Sequence, residues 1–274
     1  MFNWLKKLTL VTKITSAIST GITSFIFINR NSFIFENFWY NIYDNKLLTN
    51  PFFPMLLMTT TFLTVSAPFA ILDFTHFIKS FKIQHERYPS KKQFITAIIL
   101  WFKSEIYVNL PLTSLIYIMG FSTPITRTPP ILGNFLYDII VSFLLMDFLF
   151  FLAHRLLHTN WLYTNIHHVH HQFNNTFSYV SHALHPAETI IFASVSVIPI
   201  YLTSHHILTQ YLLLFLVMIN NIESHSGYNF INTYKWSRGI LSGSTCHNLH
   251  HQKYIVNYSV YTTIWDRIFK THSV

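Results

Sequence analysis

HRLLHTNWLYTNIHHVHH, running from His154 to His171, places six of the chain's 17 histidines within 18 residues. Further on, HNLHH at His247 to His251 repeats the H-x-x-H-H spacing of His167, His170 and His171. Helical positions four apart share a face, as do offsets of zero, three and four. His154 with His158, and each H-x-x-H-H set, are therefore expected to converge as eight imidazoles on three helical segments. So many polar rings in a core are costly unless something binds them. A lone buried histidine is ordinarily a hydrogen-bonded core residue, and a histidine tract can be a loose metal-binding surface. Three clusters in helical register fit neither description and point to metal ligands.

The surrounding composition places this cluster beside a membrane. Of 274 residues, 51% are hydrophobic and 18% aromatic, but only 10% are charged. About a quarter of a globular chain is ordinarily charged, so this one lacks the groups to cover a water-facing surface. The formal charge of +8 comes from few basic residues, which flank apolar runs as topology signals and anionic-lipid contacts do. No nucleic-acid recognition motif accompanies them, so nucleic acid is not an expected partner. Cys246 is the single cysteine. It excludes an intrachain disulfide and a cysteine-based metal site, and reads as a small buried residue.

Along the chain, Met1 to Lys13 carries three lysines before an apolar run, Ile14 to Ile28, diluted by Thr and Ser. The hydroxyls and the lack of a convincing cleavage site favour a retained anchor over a signal peptide. Pro51 to Leu72 is long enough to cross a bilayer. The loop from Asp73 to Gln93 holds Lys79, Lys82, Arg87, Lys91 and Lys92 and is expected to be cytoplasmic. Phe94 to Phe121 is apolar but interrupted by Lys103, Glu105 and Pro111, marking either an intramembrane functional site or a partly inserted segment. Ile131 to Ala153 is the clearest membrane helix and runs without a break into His154. Four crossings from a cytoplasmic start put the first histidine cluster on the cytoplasmic side. Ala187 to Thr203 and Ile207 to Ile219 are short for full crossings and read as a helical hairpin, crossing or re-entrant, capped by His205 and His206. The expected fold is an all-α integral membrane protein. It has about four transmembrane helices, a short helical hairpin and a cytoplasmic histidine-rich cap, divided into anchor helices (1–130) and a catalytic domain (131–274).

Imidazole suits iron, zinc, copper and nickel, so spacing alone does not name the metal. A structural zinc takes four ligands, whereas eight or more suggest two ions with open positions for chemistry. Two redox-active irons beside a membrane would suit dioxygen attack on an unactivated C–H bond of a lipid.

HRLLH, HHVHH and HNLHH, with HPAE at His185 to Glu188, HSGYN at His225 to Asn229 and WDRIF at Trp265 to Phe269, resemble the fatty acid hydroxylase and sterol desaturase superfamily. The resemblance runs from about Ile131 to the C-terminus, and SHALHP at Ser181 to Pro186 resembles the sterol desaturase branch more than the sphingolipid hydroxylases. It implies a membrane non-haem di-iron oxidase that hydroxylates or desaturates a lipid with dioxygen. The two iron ions would be held by His154, His158, His167, His170, His171, His247, His250 and His251, with His225 as a ninth ligand. Where some members carry a second histidine four residues after that position, this chain has Asn229. The tenth place is then left to His185, Asn229 or water. No fused haem or flavin domain is evident, so electrons would come from a separate donor of cytochrome b, ferredoxin or flavin-reductase type. Asp147, seven residues before His154, is a candidate to accept that ring's distal proton or else an N-capping or interhelical partner. Glu188 is a candidate for similar orienting work or a structural part of the HPAE turn. His168, His76, His85 and His272 read as peripheral.

Three other classes compete. Acyl desaturases of the other histidine-box superfamily place a longer segment between their first two boxes than the eight residues between His158 and His167. A membrane metal carrier would need polar groups through the bilayer, whereas these clusters flank the apolar segments. A zinc hydrolase would need a glutamate placed as in H-E-x-x-H, which the boxes lack.

Overall fold

The computed structural model describes residues 33–120, 125–204 and 206–274. The expected anchor at Ile14 to Ile28 and the hairpin residue His205 lie outside them. After a short α1 (Phe33–Ile42), the chain enters α2 (Phe53–Thr75), with Pro54 in the first turn where its missing N–H costs nothing. α2 ends at His76, in the left-handed conformation (φ 55°), whose N–H donates to the Leu72 carbonyl. α3 (Lys91–Ser104) opens with a reciprocal capping box between Ser90 and Gln93. It continues through a wide π turn, Glu105–Asn109, into α4 (Leu110–Ile118). Pro111 cannot donate the ordinary helical hydrogen bond, and the helix widens just before it. The interrupted run is thus one continuous span rather than a broken one.

α5 (Leu132–Leu157) carries His154 in its last turn. α6 (Pro186–Thr203) is capped by His185, whose Nδ1 accepts from the Ala187 N–H at 3.2 Å. α7 (Ile207–His225) is capped in the same way by His206 and ends on His225. The second hairpin arm outruns its apolar core, because Asn220 to Ser224 extend the helix into polar sequence as far as His225, whereas the first exceeds the expected run by Pro186 alone. Among the described residues, five helices are long and apolar enough to cross a membrane: Phe53–Thr75, Lys91–Ile118, Leu132–Leu157, Pro186–Thr203 and Ile207–His225. α8 (Gly243–Lys253) bears the last histidine box.

α5 packs along α6, while α7 lies between α2 and α8. Phe62, Ala97, Phe177, Val180, Met218 and Ile222 form one core joining α2, α3, α7 and the 173–183 segment. Met146, Phe150, Val217, Val260 and Tyr261 form a second, against the C-terminal segment. Large apolar side chains such as Ile71, Phe102, Leu115, Ile140 and Leu202 point outward. That surface suits lipid and would be a liability in water. The basic loop lies at the histidine end of the bundle: Ile83 N–H donates to Gly227 O at 3.0 Å and Gln84 Nε2 to Asn174 O at 2.8 Å.

Candidate metal centre

Nine histidines gather into two groups. His154, His158, His167, His171 and His250 form one, and His170, His225, His247 and His251 the other; within each, the ring nitrogens lie within 4.8 Å of one another. Each H-x-x-H-H box is divided between them. The box does not converge as one face because positions three and four onward lie on either side of the first, about 100° apart. His167 and His171 therefore turn to the first group while His170 turns to the second. In α8 the same geometry sends His250 to the first group and His247 with His251 to the second.

The partners of the outward-facing nitrogens settle which tautomer most rings adopt. His154 Nδ1 donates to Tyr258 O at 2.6 Å and His225 Nδ1 to Asn221 O at 2.8 Å. His250 Nδ1 donates to Val256 O at 2.7 Å and His251 Nδ1 to Phe173 O at 3.2 Å. A carbonyl only accepts, so these rings carry their proton on Nδ1 and present a bare Nε2 inward. His167 joins them through Glu188 Oε1 at 2.7 Å.

Those inward nitrogens crowd together. Nε2 of His158 lies 3.1 Å from Nε2 of both His167 and His250, and His250 Nε2 lies 3.1 Å from that of His171. In the second group, His225 Nε2 lies 2.8 Å from His247 Nε2 and 3.3 Å from His170 Nε2. Two facing lone pairs repel, so a proton or a metal ion must sit between nitrogens this close. Ligands about 2.1 Å from one ion stand about 3 Å apart at right angles, as these do. His251 Nε2, buried with no hydrogen-bond partner, meets the same test. The donor set fits two metal ions.

Protonation would oppose binding, and burial prevents it. Burial pushes His158 down to about 2, with His154 adding to the effect. It holds His167, His170, His171, His247, His250 and His251 well below the ordinary histidine range, with the neighbouring imidazoles reinforcing it. The rings are neutral, the form that ligates.

Other sequence candidates fall outside both groups. His185 is occupied as a helix cap, and Asn229 sits beyond the Gly227 turn with its N–H on Phe81 O at 2.9 Å. Asp147 does not reach His154. It accepts from Thr262, through the backbone N–H at 3.3 Å and the hydroxyl at 2.5 Å, and so ties α5 to the C-terminal segment. The His154 ring is oriented instead by the Tyr258 carbonyl, itself held because Asp266 accepts the N–H groups of Tyr258 and Ser259 at 2.9 and 2.8 Å. His168 is exposed. One residue escaped sequence reasoning: His182, three places before His185, lines the cavity beside the second group. Its Nδ1 donates to Ser181 Oγ at 3.2 Å, and burial pushes it down to about 4. Its place in SHALHP was the available signal.

A cavity of about 440 Å³ opens from this centre into the bundle. His154, His167, His170, His225 and His247 close one end. Ile207, Tyr211, Leu214, Met218, Asn221 and His225 line it along one face of α7, a run of roughly 27 Å at the helical rise. Phe150, Phe192 and Val217 make the wall beside the histidines apolar.

Comparison with known proteins agrees with this architecture. A family model described as Fatty acid hydroxylase matches residues 139–271. A cholesterol 25-hydroxylase-like protein from Danio rerio is 29% identical over 235 residues, covering 82% of this chain and 92% of the relative. Methylsterol monooxygenase 2-2 from Arabidopsis thaliana is 31% identical, covering 79% and 83%. A very-long-chain aldehyde decarbonylase from Oryza sativa is 32% identical, covering 72% and 74%. No solved structure matches.

Proposed function

Because the chain belongs to the fatty acid hydroxylase family, in its sterol desaturase-like branch, we propose that it is a membrane-bound di-iron oxidoreductase that hydroxylates or desaturates a lipid. The observation that carries this is the meeting of five-histidine and four-histidine groups at one end of a long, largely apolar cavity. The first group would hold one iron and the second the other. Bound iron would supply dioxygen activation and the power to break an unactivated C–H bond.

The protein's own part is position and exclusion. Carbonyls of Tyr258, Asn221, Val256 and Phe173 lock imidazole rings toward the site, and Glu188 makes His167 a stronger donor. Phe150, Phe192 and Val217 keep water from the reacting carbon while the α7 face aligns the chain of the substrate. Electrons would arrive from a separate cytochrome b-type, ferredoxin or flavin-reductase donor. The basic loop at the histidine end supports a cytoplasmic location for the centre.

The test is iron content and dioxygen uptake by the purified protein. Two irons per chain are expected, with uptake that requires both a reductant and lipid, and cellular lipids should shift by one oxygen or two hydrogens. His170→Ala and His250→Ala should abolish turnover without preventing membrane insertion. Full turnover in either variant would sink the ligand assignment, and metal flux in vesicles without dioxygen consumption would favour a carrier.

A further inference from the structure

The cavity wall carries polar groups that the metal centre does not use. Glu105 and Asn109 stand on the π turn inside the Lys91–Ile118 span, and both line the cavity. Asn109 Nδ2 donates to Glu105 Oε1 at 3.0 Å, and the Thr59 hydroxyl of α2 reaches Oε2 only at a long 3.5 Å. A carboxyl group and an amide inside a membrane span are expensive, and such residues ordinarily serve a pathway or a ligand. The Trp101 side chain, one turn back, also reaches Glu105, yet the carboxyl and amide groups together offer more hydrogen-bonding positions than these contacts fill. The π turn, a local widening common at functional sites, sets this pair into the cavity wall.

Their place relative to the metal centre is also defined. Ser104, adjacent to Glu105, shares a 2.9 Å hydrogen bond with Thr189, which follows Glu188, the carboxylate that holds His167. Hydroxyl and amide groups such as Thr113, Ser194, Ser196 and Asn221 also line the wall among Leu112, Ile116, Val197 and Leu214, but among the described lining residues Glu105 is the only carboxyl group. A hydroxyl group both donates and accepts. It matches a carboxylate acceptor beside an amide, and its apolar body matches the remaining wall.

We propose that Glu105 and Asn109 anchor the hydroxyl group of an elongated lipid alcohol, a sterol or a long-chain alcohol, in this cavity. The assignment rests on the oxygenase reading only in taking the cavity as the substrate's. Glu105 accepts the hydroxyl proton and Asn109 Nδ2 donates to its oxygen, while Thr59 steadies the carboxylate.

The experiment measures binding of four radiolabelled probes to the iron-loaded full chain in lipid nanodiscs: cholesterol with 5α-cholestane, and 1-octadecanol with octadecane. At least one alcohol should bind on the order of tenfold more tightly than its matched hydrocarbon, the scale of one net hydrogen bond. The alcohol that shows the preference identifies the lipid class. Glu105→Leu and Asn109→Leu should each erase most of the preference and leave hydrocarbon binding unchanged, and Glu105→Gln should keep part of it. Equal binding of alcohol and hydrocarbon by the unaltered protein, or a full preference surviving in Glu105→Leu, would overturn the anchor. If Glu105→Leu fails to retain iron, Asn109→Leu decides by the same criterion. Iron content and dioxygen uptake are read on the same preparations. A preference without uptake would sink the oxygenase reading alone, and uptake without a preference would sink the anchor alone.

Discussion

His167 donates from Nδ1 to Glu188 Oε1 at 2.7 Å, with both side chains fully buried. The contact fastens the first turn of α6 to a ligand of the five-histidine group and leaves His167 Nε2 bare toward it. Replacing such an orienting carboxylate typically costs 10–100-fold in metal affinity or activity. Glu188→Ala should weaken iron binding by about that factor, read by competition with a chelator; unchanged affinity would reduce the pair to a structural contact.

The division of each box between two groups predicts a separable loss of metal. His158→Ala, in the first group, and His251→Ala, in the second, should each lower iron from about two per chain toward one. The double variant should approach none. Elemental analysis checks this, and complete loss of iron in both single variants would indicate one shared site.

Acid should unfold the metal-free protein early. Burial lowers the folded-state pKa of His158, His167, His170, His171, His247, His250 and His251 below the unfolded value of about 6.5. As pH falls through 6.5 the unfolded chain takes up protons and the native chain does not, so stability drops. Each ring contributes up to ~1.4 kcal/mol per pH unit. The melting temperature in detergent should be nearly flat from pH 7 to 8 and fall steeply below 6.5. A flat profile down to pH 5.5 would contradict the buried, neutral arrangement.

Lys82 lies 2.5 Å from Asp73, with both side chains about 1% exposed, and Tyr228 donates to the same carboxylate oxygen at 3.0 Å. The trio clamps the basic loop onto the turn that follows His225. Lys82→Met would strand a buried carboxylate, at a cost of about 3–5 kcal/mol. The double variant Asp73→Asn/Lys82→Met should recover most of that loss in thermal unfolding. Equal stability of the single and double variants would show that the charge pair carries no such weight.

Gly227 sits in that turn at φ +74°, and a Cβ there would collide with the Thr176 carbonyl. Gly227→Ala must therefore move the backbone two residues from His225. The expected result is selective loss of the second iron, with about one iron per chain remaining. A full complement would mean that the turn can yield without disturbing the ligand.

The histidine spacing, the apolar spans and the motifs carried the all-α fold and the nine histidines that gather in it, because local periodicity and side-chain chemistry are properties of neighbouring residues. The 26-residue α5, with His154 in its last turn, was legible for that reason. What depends on distant partners was not. The carbonyls of Tyr258 and Phe173 that orient His154 and His251 are backbone atoms with no signature in the residue code, and Asp147 reached Thr262 rather than its own helix neighbour. Tertiary packing brought the two faces of each box against different partners to make two groups and turned Glu105 toward a cavity, since what a side chain meets is decided by the helices that close around it.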